Sequence, residues 1–137
     1  MKITPYLNFN GNCSEAIAFY EEAFGVKAKI MRYCDAPPIE GFTIQPGTEN
    51  FVMHACLTNR DDYTIFLADV TPNMRTAFGD GMSISIELDG ADTVKSAFDK
   101  LKEGGTVLME LQKTFWSEFF GSLVDKFGVS WMIMAKM

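Results

Sequence analysis

Histidine occurs once in this 137-residue chain, at position 54, and no Cys-x-x-Cys pair occurs anywhere. A metal centre built on clustered imidazoles and thiolates therefore has few donors to draw on. The three cysteines, Cys13, Cys34 and Cys56, are odd in number and widely spaced. That pattern fits reduced, buried thiols better than a disulfide framework. No apolar run reaches the roughly 18 residues of a membrane span. The opening Met1-Lys2-Ile3-Thr4-Pro5 lacks the apolar stretch of a secretory signal. Basic residues are outnumbered 12 to 18, and the net charge of -6 has the wrong sign for nucleic-acid phosphates. These absences leave the expectation of a cytoplasmic, soluble, acidic protein with neither a nucleic-acid nor a membrane partner.

What is present is ordinary for a globular chain: 47% hydrophobic and 22% charged residues. The length suits one domain over 1–137, large enough to bury a core without staples. Within it the sequence repeats. Ile3, Pro5, Leu7 and Phe9 alternate with Thr4, Tyr6, Asn8 and Asn10, which predicts a half-buried strand. Asn12 and Glu15 have the spacing of a capping box, with Ser14 as a rival cap. Ala16, Ile17, Tyr20, Ala23 and Phe24 then form a helical stripe that Gly25 ends.

The same grammar returns with Met82, Ile84, Ile86 and Leu88 alternating with Ser83, Ser85 and Glu87. A second stripe follows at Val94, Ala97, Phe98 and Leu101, with Gly104 and Gly105 as its stop. One shift of 79 residues carries Phe19 onto Phe98 and Gly25 onto Gly104 (98 minus 19; 104 minus 25), and Leu7 onto Ile86. Three strand-like runs follow each helix: 28–34, 51–58 and 63–69, then 106–111, 115–124 and 129–135. Asn59-Arg60-Asp61-Asp62 and Asp125-Lys126-Phe127-Gly128 are turns between runs. Residues 35–50, with three prolines and two glycines, read as a long surface loop, and 70–81 as a linker. The predicted class is therefore α+β: two tandem βαβββ modules, about 1–70 and 82–137. Each leaves a sheet face uncovered, so together they are expected to form a curved eight-stranded mixed sheet, a half-open barrel around a concave cavity.

Paired modules of this kind, with Ala-Phe-Tyr-x-x-x-Phe-Gly over residues 18–25, resemble the vicinal oxygen chelate superfamily of glyoxalases, bleomycin-resistance proteins and dioxygenases. Pro5-Tyr6-Leu7-Asn8-Phe9, Met53-His54-Ala55-Cys56-Leu57, Phe115-Trp116 and Asp125 to Trp131 resemble its PhnB-like branch more narrowly. The superfamily spans lyases, isomerases, dioxygenases and metal-free antibiotic-binding proteins, so the fold does not decide the activity. Its metal-using members place His, Gln or Glu on the first and last strands of each module. Here the resemblance puts those positions on Thr4 (Pro5 in a shifted register), Ser83, Met132 and the stretch 66–69, where Asp69 alone could ligate. Hydroxyls and a thioether do not suit Zn, Ni, Mn or Fe, so neither a metal nor a cofactor is expected. Some PhnB-like sequences carry names suggesting methyl transfer to a quinone; this chain has no Gly-rich strand-to-helix turn of the kind nucleotide cofactors use.

The candidate site residues follow from strand phase. If the apolar sets pack on the helices, Tyr6 and Asn8 from the first module and Ser85 and Glu87 from the second point into the concavity. His54 shares a strand face with Val52 and Cys56. It is either a half-buried histidine bonded to a neighbour or, like Glu87, an acid-base group. Trp116 lies in the aromatic stretch Phe115, Trp116, Phe119, Phe120, which suits a core or subunit interface and could also wall the cavity. Trp131 and the methionines Met132, Met134 and Met137 read as core. Three functions compete: a metal-free small-molecule-binding protein, a superfamily enzyme using an unrecognised metal site or His54 and Glu87, and an interaction module. The resemblance adds a homodimer as the expected assembly.

Overall fold

The computed structural model describes residues 1–59 and 62–136. In chain order these form β1 (Tyr6–Phe9), α1 (Cys13–Phe24), β2 (Lys29–Arg32), β3 (Val52–Asn59), β4 (Tyr63–Asp69), β5 (Ile84–Leu88), α2 (Ala91–Leu101), β6 (Thr106–Gln112), β7 (Phe120–Val124) and β8 (Ser130–Ala135). The βαβββ grammar is present twice, and the fold is α+β. The eight strands lie in two four-stranded mixed sheets, β1-β4-β3-β2 and β5-β8-β7-β6. In each, the first strand pairs parallel with the last and the other pairings are antiparallel. The chain divides into two compact units, Met1–Thr76 and Ala77–Met137, at a boundary within the linker.

In the first unit β1 is shorter than its alternation: Ile3 is exposed and the strand starts at Tyr6. Leu7 and Phe9 are buried, as are Cys13, Ala16, Ile17 and Tyr20 of α1, so the helical stripe packs as its spacing requires. Gly25 ends α1 in the left-handed conformation (φ 68°) and donates its N–H to Glu21 O. The capping box does not form. Asn12 is the cap position, yet its side chain makes no cap hydrogen bond, and Ser14 Oγ instead accepts from Arg32. A buried carboxylate from β4 does the capping: Asp69 Oδ1 accepts the N–H groups of Gly11 and Cys13 at 2.9 Å each. Charge-assisted bonds of this kind outcompete a neutral amide cap.

The β2–β3 ladder carries a bulge: Met31 pairs with His54 and Arg32 with Val52, leaving Met53 as the extra residue. The phase of β3 therefore changes at Met53. Val52 is fully buried with Ala55 and Leu57, not on the half-exposed face of His54 and Cys56 as strict alternation implies. The loop after β2 is closed at its base by Tyr33 N–H to Phe51 O and Cys34 N–H to Glu49 O. Cys34 is exposed there, against the expectation of a buried thiol. Across the next turn Asp62 N–H donates to Asn59 O; Arg60 and Asp61, and Met137, lie outside the described residues.

In the second unit α2 buries Val94, Ala97, Phe98 and Leu101. It stops at Leu101, and Gly104 sits in the turn beyond it, so the two helix ends are not equivalent. The strand expected from Phe115 begins only at Phe120. Ser117 holds the preceding residues in a loop: its N–H donates to Thr114 Oγ1, and its Oγ reaches both Phe119 O and Ala135 O. The turn at 125–128 is as read, with Asp125 Oδ1 accepting from Phe127 and Val129 N–H and Oδ2 from the indole N–H of Trp131. Trp131 is fully buried with Ile133, whereas Met132 and Met134 alternate onto the open face and are not core.

Candidate functional site

In the first unit α1 lies on β3 and β4 and covers one face of the sheet. The other face carries the polar members of each alternation. Tyr6 and Asn8 of β1 are exposed there, Tyr6 by 45%. Parallel pairing sets Tyr6 beside Phe66 and Asn8 beside Ala68, and antiparallel pairing sets Phe66 beside Cys56. His54, two residues before Cys56, shares that face.

Three aromatic rings meet on it. The Tyr6 hydroxyl is 2.9 Å from His54 Nδ1. The His54 ring centroid lies 4.9 Å from that of Phe66 and 5.6 Å from that of Tyr6, with Tyr6 edge-on to Phe66. His54 is thus half-buried and bonded to a neighbour, and that neighbour is another candidate site residue. Partial burial holds the Tyr6 phenol above its ordinary pKa, with smaller contributions from Cys13 and Tyr33. The pair joins a protonated hydroxyl to an imidazole over an aromatic floor, an arrangement able to orient a ligand or move a proton.

Sequence reasoning missed Phe66 as a site residue. Its alternation with Ile65 and Leu67 was visible, but its place beside Tyr6 comes from a pairing across 60 positions (66 minus 6). Cys13 takes no part: burial, then the nearby Asp69 charge, push its thiol far above the ordinary range.

In the second unit Ser85 and Glu87 are exposed on β5 between half-buried Ile84, Ile86 and Leu88, the phase read from sequence. Pairing sets Ser85 beside Met132 and Glu87 beside Met134. Trp116 sits in the Ser117 loop, edge-on to Phe115 (4.6 Å) and Phe120 (5.3 Å). Phe115 is 96% exposed, so this stretch is not a buried aromatic strand.

The four superfamily ligand positions do not fit a transition metal. Asp69 has its two carboxylate oxygens engaged by three backbone N–H groups, from Gly11, Cys13 and Val52. Ser83 shares a 2.8 Å hydrogen bond with Ser130, and Met132 offers only a thioether. Among the described residues no three His, Cys, Asp or Glu side chains gather as a ligand set. Nor, among them, is any helix long and apolar enough to cross a membrane.

Comparison with known proteins agrees with this architecture. Residues 1–134 match the family described as 3-demethylubiquinone-9 3-methyltransferase. YjdN of Escherichia coli K12 is 31% identical, over 97% of this chain and 94% of that protein. Protein PA1353 from Pseudomonas aeruginosa is 33% identical in sequence and similar in structure, with a TM-score of 0.86 over 99% of this chain and 98% of that one. A PhnB protein from Bacillus cereus gives 31% and 0.77, over 99% and 100% of the two chains. A glyoxalase/bleomycin resistance protein/dioxygenase family enzyme from Burkholderia phytofirmans, 16% identical, shares the fold at 0.62 over 96% and 97%. The chain belongs to the 3-demethylubiquinone-9 3-methyltransferase family, the PhnB-like branch of the glyoxalase/bleomycin-resistance fold.

Proposed function

We propose that this chain is a metal-free small-molecule-binding protein of PhnB-like type, working as a cytoplasmic homodimer. The observation that carries the reading is the cluster of Tyr6, His54 and Phe66. Large rings with polar handles stay half-exposed on one sheet face, while the other face is packed on α1. Aromatic walls with a few placed hydrogen-bonding groups are what a pocket for a small organic molecule requires. Asn8, Ser85, Glu87 and Trp116 are the further ligand-binding residues of this proposal.

The family description names a methyltransferase, but neither strand-to-helix turn is a Gly-rich loop of the kind nucleotide-type methyl donors use. Each strand-to-helix turn has a single glycine, Gly11 or Gly90, and the Gly11 and Cys13 N–H groups are taken by Asp69.

One observation favours a second reading. The 2.9 Å contact between Tyr6 and His54 is also the geometry of an acid-base group with its orienting partner. Under it the chain is a lyase, isomerase or dioxygenase of the superfamily, with His54 or Glu87 in the proton-transfer role.

Thermal shift against small aromatic and antibiotic compounds tests the first reading, run on the wild type, Tyr6→Ala and Glu87→Ala. A ligand at 100 times its Kd adds about 2.7 kcal/mol of stability, and both substitutions are expected to reduce that gain. Equal gains in all three proteins would remove Tyr6 and Glu87 from the site. Stoichiometric binding of Zn, Ni, Mn or Fe(II) would put the enzyme reading first.

A further inference from the structure

We infer that Tyr6 and His54 form a subsite for a hydrogen-bond-accepting oxygen, the carboxylate or ketone oxygen of an aromatic compound whose ring lies against Phe66. This rests on the binding function proposed above and names the chemistry of its ligand. The tautomer of His54 decides what its ring offers a ligand. A neutral imidazole donates from one nitrogen and accepts at the other. Tyr6 Oη and Nδ1 are 2.9 Å apart and either can donate; the subsite takes the form in which Tyr6 donates and Nδ1 accepts. In that form the ring hydrogen resides on Nε2. When the ring is protonated both nitrogens carry hydrogen, so Nε2 presents an N–H in either charge state.

A site whose ring offers only a donor selects an acceptor, and desolvating that N–H against an apolar ligand carries a penalty. The floor beside it is aromatic. Phe66 lies 4.9 Å from His54 and 5.7 Å from Tyr6, centroid to centroid. Ala68, next in that alternation and paired with Asn8, is buried and adds no polar group. A planar ring with an attached oxygen matches both features, the ring by stacking and the oxygen by the Nε2–H.

The single histidine makes the test direct, because every imidazole resonance belongs to His54. Long-range proton–nitrogen NMR, taken where the same spectra show the ring neutral, reads the tautomer of the full chain. The Nε2–H form is expected in the wild type, and a mixture of both forms in Tyr6→Phe. Benzoate, acetophenone and ethylbenzene are then titrated. Benzoate and acetophenone are expected to bind more tightly than ethylbenzene and to shift Nε2. His54→Ala is expected to lower their affinity about three- to tenfold, the loss of one hydrogen bond, without weakening ethylbenzene. Benzoate ahead of acetophenone assigns the oxygen to a carboxylate, and the reverse order to a ketone.

An Nδ1–H tautomer overturns the inference. So does ethylbenzene binding as well as the other two, which leaves small-molecule binding in place. If all three probes fail while another aromatic compound from the panel binds, the inference alone falls; if nothing in the panel binds either, the binding function falls with it.

Discussion

Asp69 and Cys13 lie 56 positions apart, yet the carboxylate of one supplies the cap for the helix that begins at the other. Oδ1 also takes Gly11 N–H, and Oδ2 takes Val52 N–H at 3.0 Å, so one buried side chain ties β4 to the starts of α1 and β3. Removing it strands three donors, two of them in buried bonds. Asp69→Ala is therefore expected to destabilise the protein by about 3–5 kcal/mol, and Asp69→Asn by about half as much, because the amide keeps one acceptor. Urea unfolding at neutral pH checks both; a loss under about 1 kcal/mol for Asp69→Ala would mean that water replaces the carboxylate.

Gly121 of β7 is present because α2 needs the space. A Cβ there would lie 2.7 Å from the Phe98 ring and 3.0 Å from Met109 O. Gly121→Ala should cost about 2–3 kcal/mol by overpacking. Gly81→Ala, where a Cβ meets nothing within 4 Å, serves as the neutral control. Melting curves of the two variants should separate by several degrees.

The Tyr63 hydroxyl is buried and has no hydrogen-bond partner among the described residues. Tyr63→Phe removes an unsatisfied polar group and keeps the ring beside Phe24, so it should stabilise by about 1 kcal/mol.

Alkaline pH probes the same residue. Burial, then the charge of Asp62, raise the Tyr63 phenol above its ordinary value of about 10, and burial raises Tyr6 as well. Above that value the unfolded chain releases protons that the folded chain retains. The folded state then binds more protons, and stability falls as pH rises. Below it these groups leave stability flat. Melting temperatures should drop from about pH 10 upward, and less steeply in Tyr63→Phe; an unchanged slope would show that Tyr63 ionises normally.

The two tryptophans report on different surroundings. Trp131 is fully buried with its indole N–H on Asp125, while Trp116 is 39% exposed. Trp116→Phe should leave a blue-shifted emission insensitive to iodide, and Trp131→Phe a red-shifted, quenchable one. Matching spectra would contradict the placement of Trp116 in an open loop.

Much of this fold was legible because it is local. Alternation placed β4 to the residue, and the stripe at Ala16, Ile17 and Tyr20 marked the buried side of α1. The phase of β1 and β5 put Tyr6, Asn8, Ser85 and Glu87 on open faces. What escaped was set by distant partners. The capping box at Asn12 was plausible until Asp69 arrived from β4, and the bulge at Met53 shifted Val52 out of simple alternation. Ser117 turned an aromatic run that reads as strand into a loop, through bonds to Phe119 and to Ala135 of β8. The Tyr6–His54–Phe66 cluster draws one residue from each of three strands, so no single stretch announces it.

The parallel pairing of first and last strands has a consequence for synthesis. Phe9 lies beside Asp69, and Leu88 beside Ala135, so within its own sheet each leading strand has one neighbour, and that neighbour is made last. Contacts so far apart in sequence slow folding. On the ribosome β2, β3 and the start of β4 can pair while β1 still waits. In each module the strand made first can join its own sheet only once the strand made last is available.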